Sequence, residues 1–559
     1  MASKMNSLSK PDSLQSEQPV VETSTADAVV AALAANGADI VFGLPGLQSD
    51  PLFDALYRST TGIRVIHPRH EQTCGYMALG ATISTGRPHV SSVVPGPGVA
   101  NSSAAMLTAE AMCAPVLTIG SQIPHADIDK GHGHLHEMRD QIGFASHVNK
   151  FARQITSPAE GPRAVNDAFA AMRSGKAGPA YIECGFDVWA KRGDVKMEPV
   201  ADRIPQEIDL HQVRAAAAIA LRSRHPMIVV GGGALDASGE VTRLAELLGA
   251  PVLSYRRGRG VIPTDHPLAI NMPIGHRMWP KVDVVIGIGT RLFVQEKQWG
   301  LDENIRVIRI DTDPAAPGRF KEPAVSMVGD AKSYTAALVA ALETDDMEKA
   351  DWSNDLFEHR AWFEEKYRRL EPQKSYLEAI RRALPDDGIF VDEVTQMGFA
   401  SRLAFPVYSP RTFLSAGFQD NLGWGYGTAL GAQAANPGRP VLSIAGDGGF
   451  LYQVGELATA VHHKLPVVAV VFDNSMFGNV KRIQRDMFGG RHIACDLTSP
   501  DFVQLADSFG MAGFLAQSPE ELEARIKAAF SSGDPALIHV PCGEVPSIWD
   551  MILMPRIRG

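Results

Sequence analysis

Residues 441–479, near the C-terminal end of this chain, constrain its fold more than any other segment. An apolar, β-branched run ends there in Gly446-Asp447-Gly448, and apolar residues at helical spacing follow. A second apolar run then ends in Asp473-Asn474. This order predicts a strand, a helix and a parallel strand joined by a right-handed crossover, which is the repeating unit of a doubly wound α/β sheet.

Asp447 and Asn474 form a candidate ligand site in this unit. They follow the ends of the two predicted strands and lie 27 residues apart, and ligands of such sheets bind beyond the carboxyl ends of the strands. A carboxylate and an amide oxygen beside glycines suit a hard cation that also holds a phosphate group. The alternative is a unit whose glycines only form turns, since Asp-Gly is common in turns.

The composition limits the class of protein. A chain of 559 residues is too long for one core, and its apolar and charged fractions, 45% and 21%, are those of a globular protein. The net charge of −10, without a long basic run, argues against nucleic acid or an anionic membrane as partner. Five scattered cysteines favour a reducing, cytoplasmic location. Residues 1–21 are polar and predict a disordered tail, and no apolar stretch reaches membrane-spanning length.

A faint internal repeat divides the chain. Residues 75–90 and 425–442 both carry Gly-Tyr, Ala-Leu-Gly-Ala and Gly-Arg-Pro before an apolar strand that ends in a glycine-rich turn. The repeat predicts two α/β domains of common architecture, at residues 22–190 and 372–550. Strand-plus-turn patterns within residues 206–343 predict a third doubly wound sheet. Three parallel-sheet domains are therefore expected.

Two stretches of the chain are predicted to connect its domains. One glycine run partly resembles a nucleotide-binding motif. Residues 191–205 predict a linker and residues 345–373 a charged helical connector. The glycines at 231–233 lack the third glycine of a dinucleotide fingerprint. Packing of a strand end against a helix is therefore favoured there over a nucleotide site.

The first domain contains a further match. A predicted strand leads into His70-Glu71 and a helix of small residues, and a glycine-rich turn at residues 95–98 is followed by Asn101. Taken with the Gly-Asp-Gly and Asn474 motif, the chain resembles thiamine diphosphate (ThDP) enzymes, in the group of acetolactate synthase, benzoylformate decarboxylase and benzaldehyde lyase. The resemblance covers residues 24–550.

The resemblance implies a pyrimidine-binding first domain, a central domain and a diphosphate-binding last domain. Glu71 would bond the pyrimidine ring of the cofactor as a carboxylic acid, which an apolar pocket favours; a surface glutamate in the first turn of a helix is the alternative. Asp447, Asn474 and the main-chain carbonyl of Met476 would bind Mg²⁺. Asp473 stands where the family has a first asparagine, a minor departure because the second one is the metal ligand.

Further cofactor contacts follow from the same resemblance. Leu422, which precedes Gly423-Trp424-Gly425, would support the bend of the cofactor; a core leucine beside a tight turn is the alternative. The diphosphate contacts would be Thr395, Gln396, Gly448 and Gly449.

The residues that meet the substrate are harder to identify. His132, His134 and His136 occupy every second position of one tract. A solvent-exposed loop is favoured over metal binding for this tract. His136 lies four residues before Asp140, the interval at which benzaldehyde lyases carry a substrate-facing glutamine, so it is a candidate proton donor or carbonyl ligand. His462-His463 match the paired histidines of pyruvate decarboxylases but lie on a predicted helix of the wrong domain.

The predicted activity is ThDP- and Mg²⁺-dependent decarboxylation of a 2-oxo acid, with transfer of the carbanion-enamine to a second carbonyl, as in acetolactate synthase. A hydroxyketone or aldehyde lyase or carboligase and a simple 2-oxo acid decarboxylase are alternatives. Two further alternatives are a nucleotide-dependent oxidoreductase, which the glycine run disfavours, and a silent paralogue, which Glu71, Asp447 and Asn474 disfavour. The family implies a homodimer or homotetramer acting on small molecules. FAD, present in biosynthetic acetolactate synthases, has no support in the sequence.

Overall fold

The computed structural model of the chain describes residues 20–198, 200, 207–344 and 348–559. Three domains each contain a six-stranded parallel sheet with helices, which confirms the predicted fold class. None of the helices in these described ranges is long and apolar enough to cross a membrane.

The N-terminal domain has eight strands and seven α-helices in its described part. The strands are β1 (Val20–Ser24), β2 (Ile40–Gly43), β3 (Arg64–Ile66), β4 (His89–Val93), β5 (Val116–Gln122), β6 (Phe151–Ile155), β7 (Ala180–Gly185) and β8 (Arg192–Lys196). The helices are α1 (Thr25–Ala35), α2 (Asp50–Arg58), α3 (Glu71–Thr85), α4 (Pro97–Met112), α5 (Gln141–Ser146), α6 (Gly161–Arg173) and α7 (Phe186–Trp189).

The central domain follows, with a helical connector after it. Its strands are β9 (Pro226–Val230), β10 (Val252–Ser254), β11 (Ala269–Ile270), β12 (Val284–Ile288), β13 (Arg306–Asp311) and β14 (Val325–Val328). Its α-helices are α8 (Leu210–Ala220), α9 (Ser238–Leu248), α10 (Met272–Met278) and α11 (Ala331–Leu342), and the connector is α12 (Ser353–Tyr367).

The C-terminal domain completes the chain. Its strands are β15 (Ile389–Val391), β16 (Phe413–Leu414), β17 (Val441–Gly446), β18 (Val467–Asp473), β19 (Ala512–Leu515) and β20 (Ala536–Pro541). Its helices are α13 (Gln373–Ala383), α14 (Gln396–Ala404), α15 (Gly425–Ala435), α16 (Asp447–Phe450), α17 (Leu457–His463), α18 (Gly478–Met487), α19 (Phe502–Ser508), α20 (Pro519–Ser532) and α21 (Trp549–Ile552).

The two terminal sheets have the same strand order. The N-terminal sheet runs β3-β2-β4-β5-β7-β6 and the C-terminal sheet runs β16-β15-β17-β18-β20-β19. The strand order reverses between β2 and β4 in the first sheet and between β15 and β17 in the second. Open α/β sheets bind ligands at such a reversal of strand order. The central sheet runs β11-β10-β9-β12-β13-β14, and its order reverses between β9 and β12.

The repeated segments of the sequence lie against each other in the structure. Helix α3 of the N-terminal domain packs on α15 of the C-terminal domain, and both contribute to one buried apolar cluster. A β-carbon added to Gly80 would overlap the carbonyl oxygen of Thr428, and one added to Gly431 would overlap that of Met77. The shared small residues therefore let two helix backbones approach closely.

Two predicted boundaries differ from the structure. Val20 and Val21, placed in the tail, belong to β1, because β1 pairs antiparallel with β8. The same pairing brings residues 192–196 of the predicted linker into the N-terminal domain. Residues 1–19 of the predicted tail lie outside the described residues.

Candidate functional site

Two aspartates, Asp447 and Asp473, form an acidic edge at the carboxyl ends of strands β17 and β18 in the C-terminal sheet. Asp447 follows β17 and is 2% exposed, and Asp473 ends the neighbouring strand β18. Burial, and then the charge of Asp473, raise the pKa of Asp447 above its ordinary value. Two carboxyl groups confined this way fit a divalent cation, which would relieve their mutual repulsion.

Asp473 has hydrogen-bond donors of its own at this edge. Ser499 Oγ donates to Asp473 Oδ1 at 2.8 Å and lies 3.4 Å from Asp447 Oδ2. His539 Nε2 lies 3.1 Å from Asp473 Oδ2. A cavity of about 320 Å³ opens beside Asp447, with Phe477 and Ser499 among its lining residues. These contacts accommodate an aspartate at this position; no motif in the sequence pointed to Ser499 or His539.

One predicted diphosphate contact, Gln396, lies with the predicted metal ligands Asn474 and Met476 at the start of α18. A β-carbon added to Gly478, the first residue of this helix, would lie 3.2 Å from Asn474 Nδ2, 3.6 Å from Gln396 Nε2 and 3.9 Å from Met476 Cγ. The Oε1 atom of Gln396 is buried and lacks a hydrogen-bond partner among the described residues. The N–H groups at a helix N-terminus and the N–H₂ group of Gln396 are hydrogen-bond donors, and donors in this arrangement fit a phosphate-bearing ligand.

The side chains of Thr395 and Leu422 lie next to Gly446 and Gly449, the glycines that flank Asp447 and Gly448. A β-carbon added to Gly446 would lie 3.4 Å from Thr395 Oγ1, and one added to Gly449 would lie 3.5 Å from Leu422 Cδ2. Gly448 has no room for a side chain, because Phe477 and Leu497 occupy the space beside it. Leu422 is therefore next to the Gly-Asp-Gly-Gly turn rather than in a distant part of the core.

Glu393 holds the loop that carries Leu422, although no sequence motif pointed to this residue. Its buried carboxyl group accepts hydrogen bonds from the main-chain N–H groups of Gly423 at 2.8 Å and Gly425 at 2.9 Å. Burial raises the pKa of Glu393 to about 8, although these two bonds oppose the shift. Its position in the sequence is suggestive only in that it follows the end of β15 by two residues and precedes Thr395 by two residues.

Glu71 lies at the corresponding edge of the N-terminal sheet. It is the first residue of α3, and its Oε2 accepts a hydrogen bond from Asn101 Nδ2 at 3.1 Å. A β-carbon added to Gly98 would lie 3.6 Å from Glu71 Cγ. Gly98 of the predicted turn and the following Asn101 therefore lie next to the side chain of Glu71.

The three histidines of the tract lie in two different environments. His136 adopts a φ of 65°, and its carbonyl oxygen fills the space where Gly96 lacks a β-carbon. His136 Nδ1 is buried and has no hydrogen-bond partner in the described part of the chain. His132 and His134 instead face Asp127, at 3.3 and 3.0 Å. Only His136 thus adjoins the turn beside Glu71.

A second, larger cavity lies at the carboxyl edge of the central sheet. It has a volume of about 1220 Å³, and all three domains line it, with Lys176, Arg291 and Arg411 among the charged groups. A β-carbon added to Gly231 would overlap the carbonyl oxygen of Gly289. Strand-end packing therefore accounts for this glycine, as the incomplete fingerprint indicated.

Comparison with known proteins assigns all three domains. The N-terminal TPP binding domain, the central domain and the C-terminal TPP binding domain of thiamine pyrophosphate enzymes match residues 23–144, 213–338 and 393–540. The C-terminal match contains the acidic edge, and the N-terminal match contains Glu71 and His136.

Curated relatives align over nearly the whole chain. A probable acetolactate synthase large subunit of Methanocaldococcus jannaschii is 32% identical, over 94% of this chain and 93% of the relative. A probable 2-ketoarginine decarboxylase of Pseudomonas aeruginosa is also 32% identical, over 94% and 95%. A sulfoacetaldehyde acetyltransferase of Castellaniella defragrans is 29% identical, over 93% of both chains. Because all three domains match this family, the chain belongs to the thiamine pyrophosphate enzyme family and is similar to acetolactate synthase large subunits.

Proposed function

We propose that the chain is a ThDP- and Mg²⁺-dependent enzyme that decarboxylates a 2-oxo acid and joins the remaining acyl unit to a second carbonyl compound. The observation that carries the proposal is the division of labour between two strand edges. One edge has the buried Asp447 with Asn474 beside it, and the other has Glu71 bonded to Asn101 at 3.1 Å.

The C-terminal edge binds the cofactor in this proposal. Asp447, Asn474 and the carbonyl of Met476 hold Mg²⁺, which prefers oxygen ligands. The N–H groups at the start of α18 and the amide of Gln396 bond the diphosphate. Leu422 would support the bound cofactor, and Glu393 holds the loop that carries Leu422 through the main chain of that loop.

The N-terminal edge handles protons. When bound, ThDP supplies the carbon nucleophile and the electron sink for decarboxylation. Glu71 exchanges a proton with the pyrimidine ring, and Asn101 orients the carboxyl group for that exchange. His136 has an unpaired Nδ1 with which to bond a substrate oxygen or to deliver a proton.

We infer that the two edges of one site belong to different subunits of a homodimer or homotetramer, as the family resemblance implies. Mixing inactive Glu71→Gln and Asp447→Ala subunits tests this arrangement, because a mixed dimer would contain one intact site. Recovered activity on mixing supports a shared site, and no recovery after verified subunit exchange contradicts it.

A simple 2-oxo acid decarboxylase that releases an aldehyde is the second candidate. The unpaired Nδ1 of His136 favours it, since a proton donor at the reaction centre competes with carboligation. The relative from Pseudomonas aeruginosa bears a decarboxylase name, so 5-guanidino-2-oxopentanoate belongs among the donors that are tested.

A donor screen tests the proposal and separates the candidates. Pyruvate, 2-oxobutanoate and 5-guanidino-2-oxopentanoate are incubated with and without ThDP and Mg²⁺, and CO₂, ketols and aldehydes are measured. We expect cofactor-dependent CO₂ release, with ketol products for a carboligase and aldehydes for a decarboxylase. Absence of CO₂ from every donor, with ThDP shown to be bound, contradicts both 2-oxo acid activities; aldehyde ligation or ketol cleavage would then indicate the benzaldehyde lyase type.

A further inference from the structure

Three histidines from two domains meet at a point that the proposed reaction does not use. His67 follows β3 in the N-terminal domain, whereas His462 and His463 are the last residues of α17 in the C-terminal domain. The three ring centroids are 4.7–4.8 Å apart in every pair. One ring nitrogen of each residue lies within 4.8 Å of the other two.

The shortest contact joins rings that are far apart in sequence. His463 Nε2 lies 3.1 Å from His67 Nδ1, across 396 positions of the chain. The main-chain N–H and C=O groups of His67 also lie 3.2 Å from His463 Nε2, so a bound ion would replace the contact that this nitrogen makes with the main chain. His462 is exposed, and its ring completes the group from the solvent side.

The three rings contact one another, and His463 also contacts the main chain of His67. Within the described ranges, none of the three forms an ion pair with a carboxylate, so charge pairing does not explain why they gather. Neutral imidazole is the form that binds metal ions.

We propose that His67, His462 and His463 bind one Zn²⁺ ion, or a similar first-row transition-metal ion, with water as the fourth ligand. Tetrahedral Zn²⁺ with nitrogen ligands at about 2.0–2.1 Å places those nitrogens about 3.3–3.4 Å apart. The contact between His463 and His67 is already close to that separation, and the exposed ring of His462 is free to turn toward the ion. Imidazole ligands suit transition metals, whereas the oxygen ligands around Asp447 suit Mg²⁺.

The position of the cluster gives the ion a structural role. His67 lies four residues before Glu71, and α17 follows the segment that begins at Asp447. A hydrogen bond from the Arg69 N–H to Glu456, at 3.0 Å, already joins the same two segments. A bound ion would therefore hold the loop that precedes Glu71 against the C-terminal domain.

The chain offers a matched control in a second cluster, formed by Asp127, His132 and His134. There a carboxylate faces both histidines, at 3.3 and 3.0 Å, so ion pairing explains the arrangement without a metal. His132→Ala removes one ring from this cluster, as His462→Ala removes one ring from the proposed site.

The test measures metal binding by the full chain rather than catalysis. The protein is stripped with a chelator and saturated with Mg²⁺ and ThDP to fill the proposed cofactor site, then titrated with Zn²⁺ by calorimetry and with Co²⁺ by visible absorption. We expect one Zn²⁺ per chain and imidazole-type Co²⁺ bands in the parent. His462→Ala should weaken Zn²⁺ binding about 100-fold and abolish the gain in Tm that Zn²⁺ gives, whereas His132→Ala should match the parent.

Three results would overturn the proposal. They are no saturable Zn²⁺ binding by the parent, undiminished binding by His462→Ala, and loss of binding in His132→Ala alone. His462→Gln keeps a polar group on the exposed end of α17, so it separates loss of a ligand from a change in folding. If His462→Gln binds Zn²⁺ as tightly as the parent, the three-histidine site is wrong.

Discussion

The two terminal domains share one scaffold and differ in the chemistry of their strand ends. The strand order of both parallel sheets reverses at corresponding strands, and the repeated helices α3 and α15 pack against each other. The C-terminal edge has Asp447 and Asp473 close enough for one carboxyl to raise the pKa of the other. The N-terminal edge has the single carboxyl of Glu71, bonded to an amide. In the proposed function, one architecture would therefore support cation binding at one edge and proton exchange at the other, because function resides in the side chains at the strand ends.

The largest expected effect tests the N-terminal edge. Glu71→Gln removes the acid–base group but keeps its shape, so turnover should fall by roughly 10²–10⁴ while ThDP affinity stays unchanged. Steady-state kinetics at saturating ThDP, beside a ThDP titration, checks both statements. Near-normal turnover would mean that the two edges do not divide the work in this way.

His136→Ala should have the next largest effect. If His136 meets the substrate, the rate falls by about 10²-fold, the low end for a positioned acid–base group, and the ratio of aldehyde to ketol changes. His132→Ala and His134→Ala are the controls, because those rings face Asp127 instead. Product analysis that finds all three variants equal to the parent removes His136 from the site.

Glu393→Gln tests the loop of the C-terminal edge. At a pH above about 8, where Glu393 is ionised, its carboxylate accepts two N–H groups, whereas a glutamine can accept only one of them and turns its own N–H₂ toward the other. We expect the free energy of unfolding to fall by about 1–3 kcal/mol, with reduced turnover from a displaced Leu422. Denaturant unfolding measures the first quantity, and unchanged stability would contradict the anchoring role.

The smallest effect is a pH dependence of stability that belongs to the same group. The pKa of Glu393 is about 8 in the folded chain, against an ordinary 4.5. Between these values the folded state binds more protons than the unfolded state, so this carboxyl makes stability fall as pH rises. Unfolding measured across that window should show a shallower fall in Glu393→Gln than in the parent; identical slopes would contradict the raised pKa.

The strand-end motifs were predictable because their residues are close together in the sequence. The Gly-Asp-Gly turn and Asn474 flank a single helical crossover, and the repeat indicated that the terminal domains share an architecture. Contacts between distant segments left no such pattern. Ser499 and His539 reach Asp473 from other elements, and His67 meets His463 across 396 positions. Periodicity locates a helix or a strand but does not say which distant side chain will contact it.

Calorimetric titration of Asp447→Ala and Glu71→Gln with ThDP and Mg²⁺ is the most direct test of the proposal. It asks whether cofactor binding belongs to the C-terminal edge alone. Since the proposed cation would join the protein to the diphosphate, Asp447→Ala should lose affinity for Mg²⁺ and ThDP together, whereas Glu71→Gln should keep both. Unchanged ThDP affinity in a folded Asp447→Ala protein would contradict the assignment of the C-terminal edge as the cofactor site.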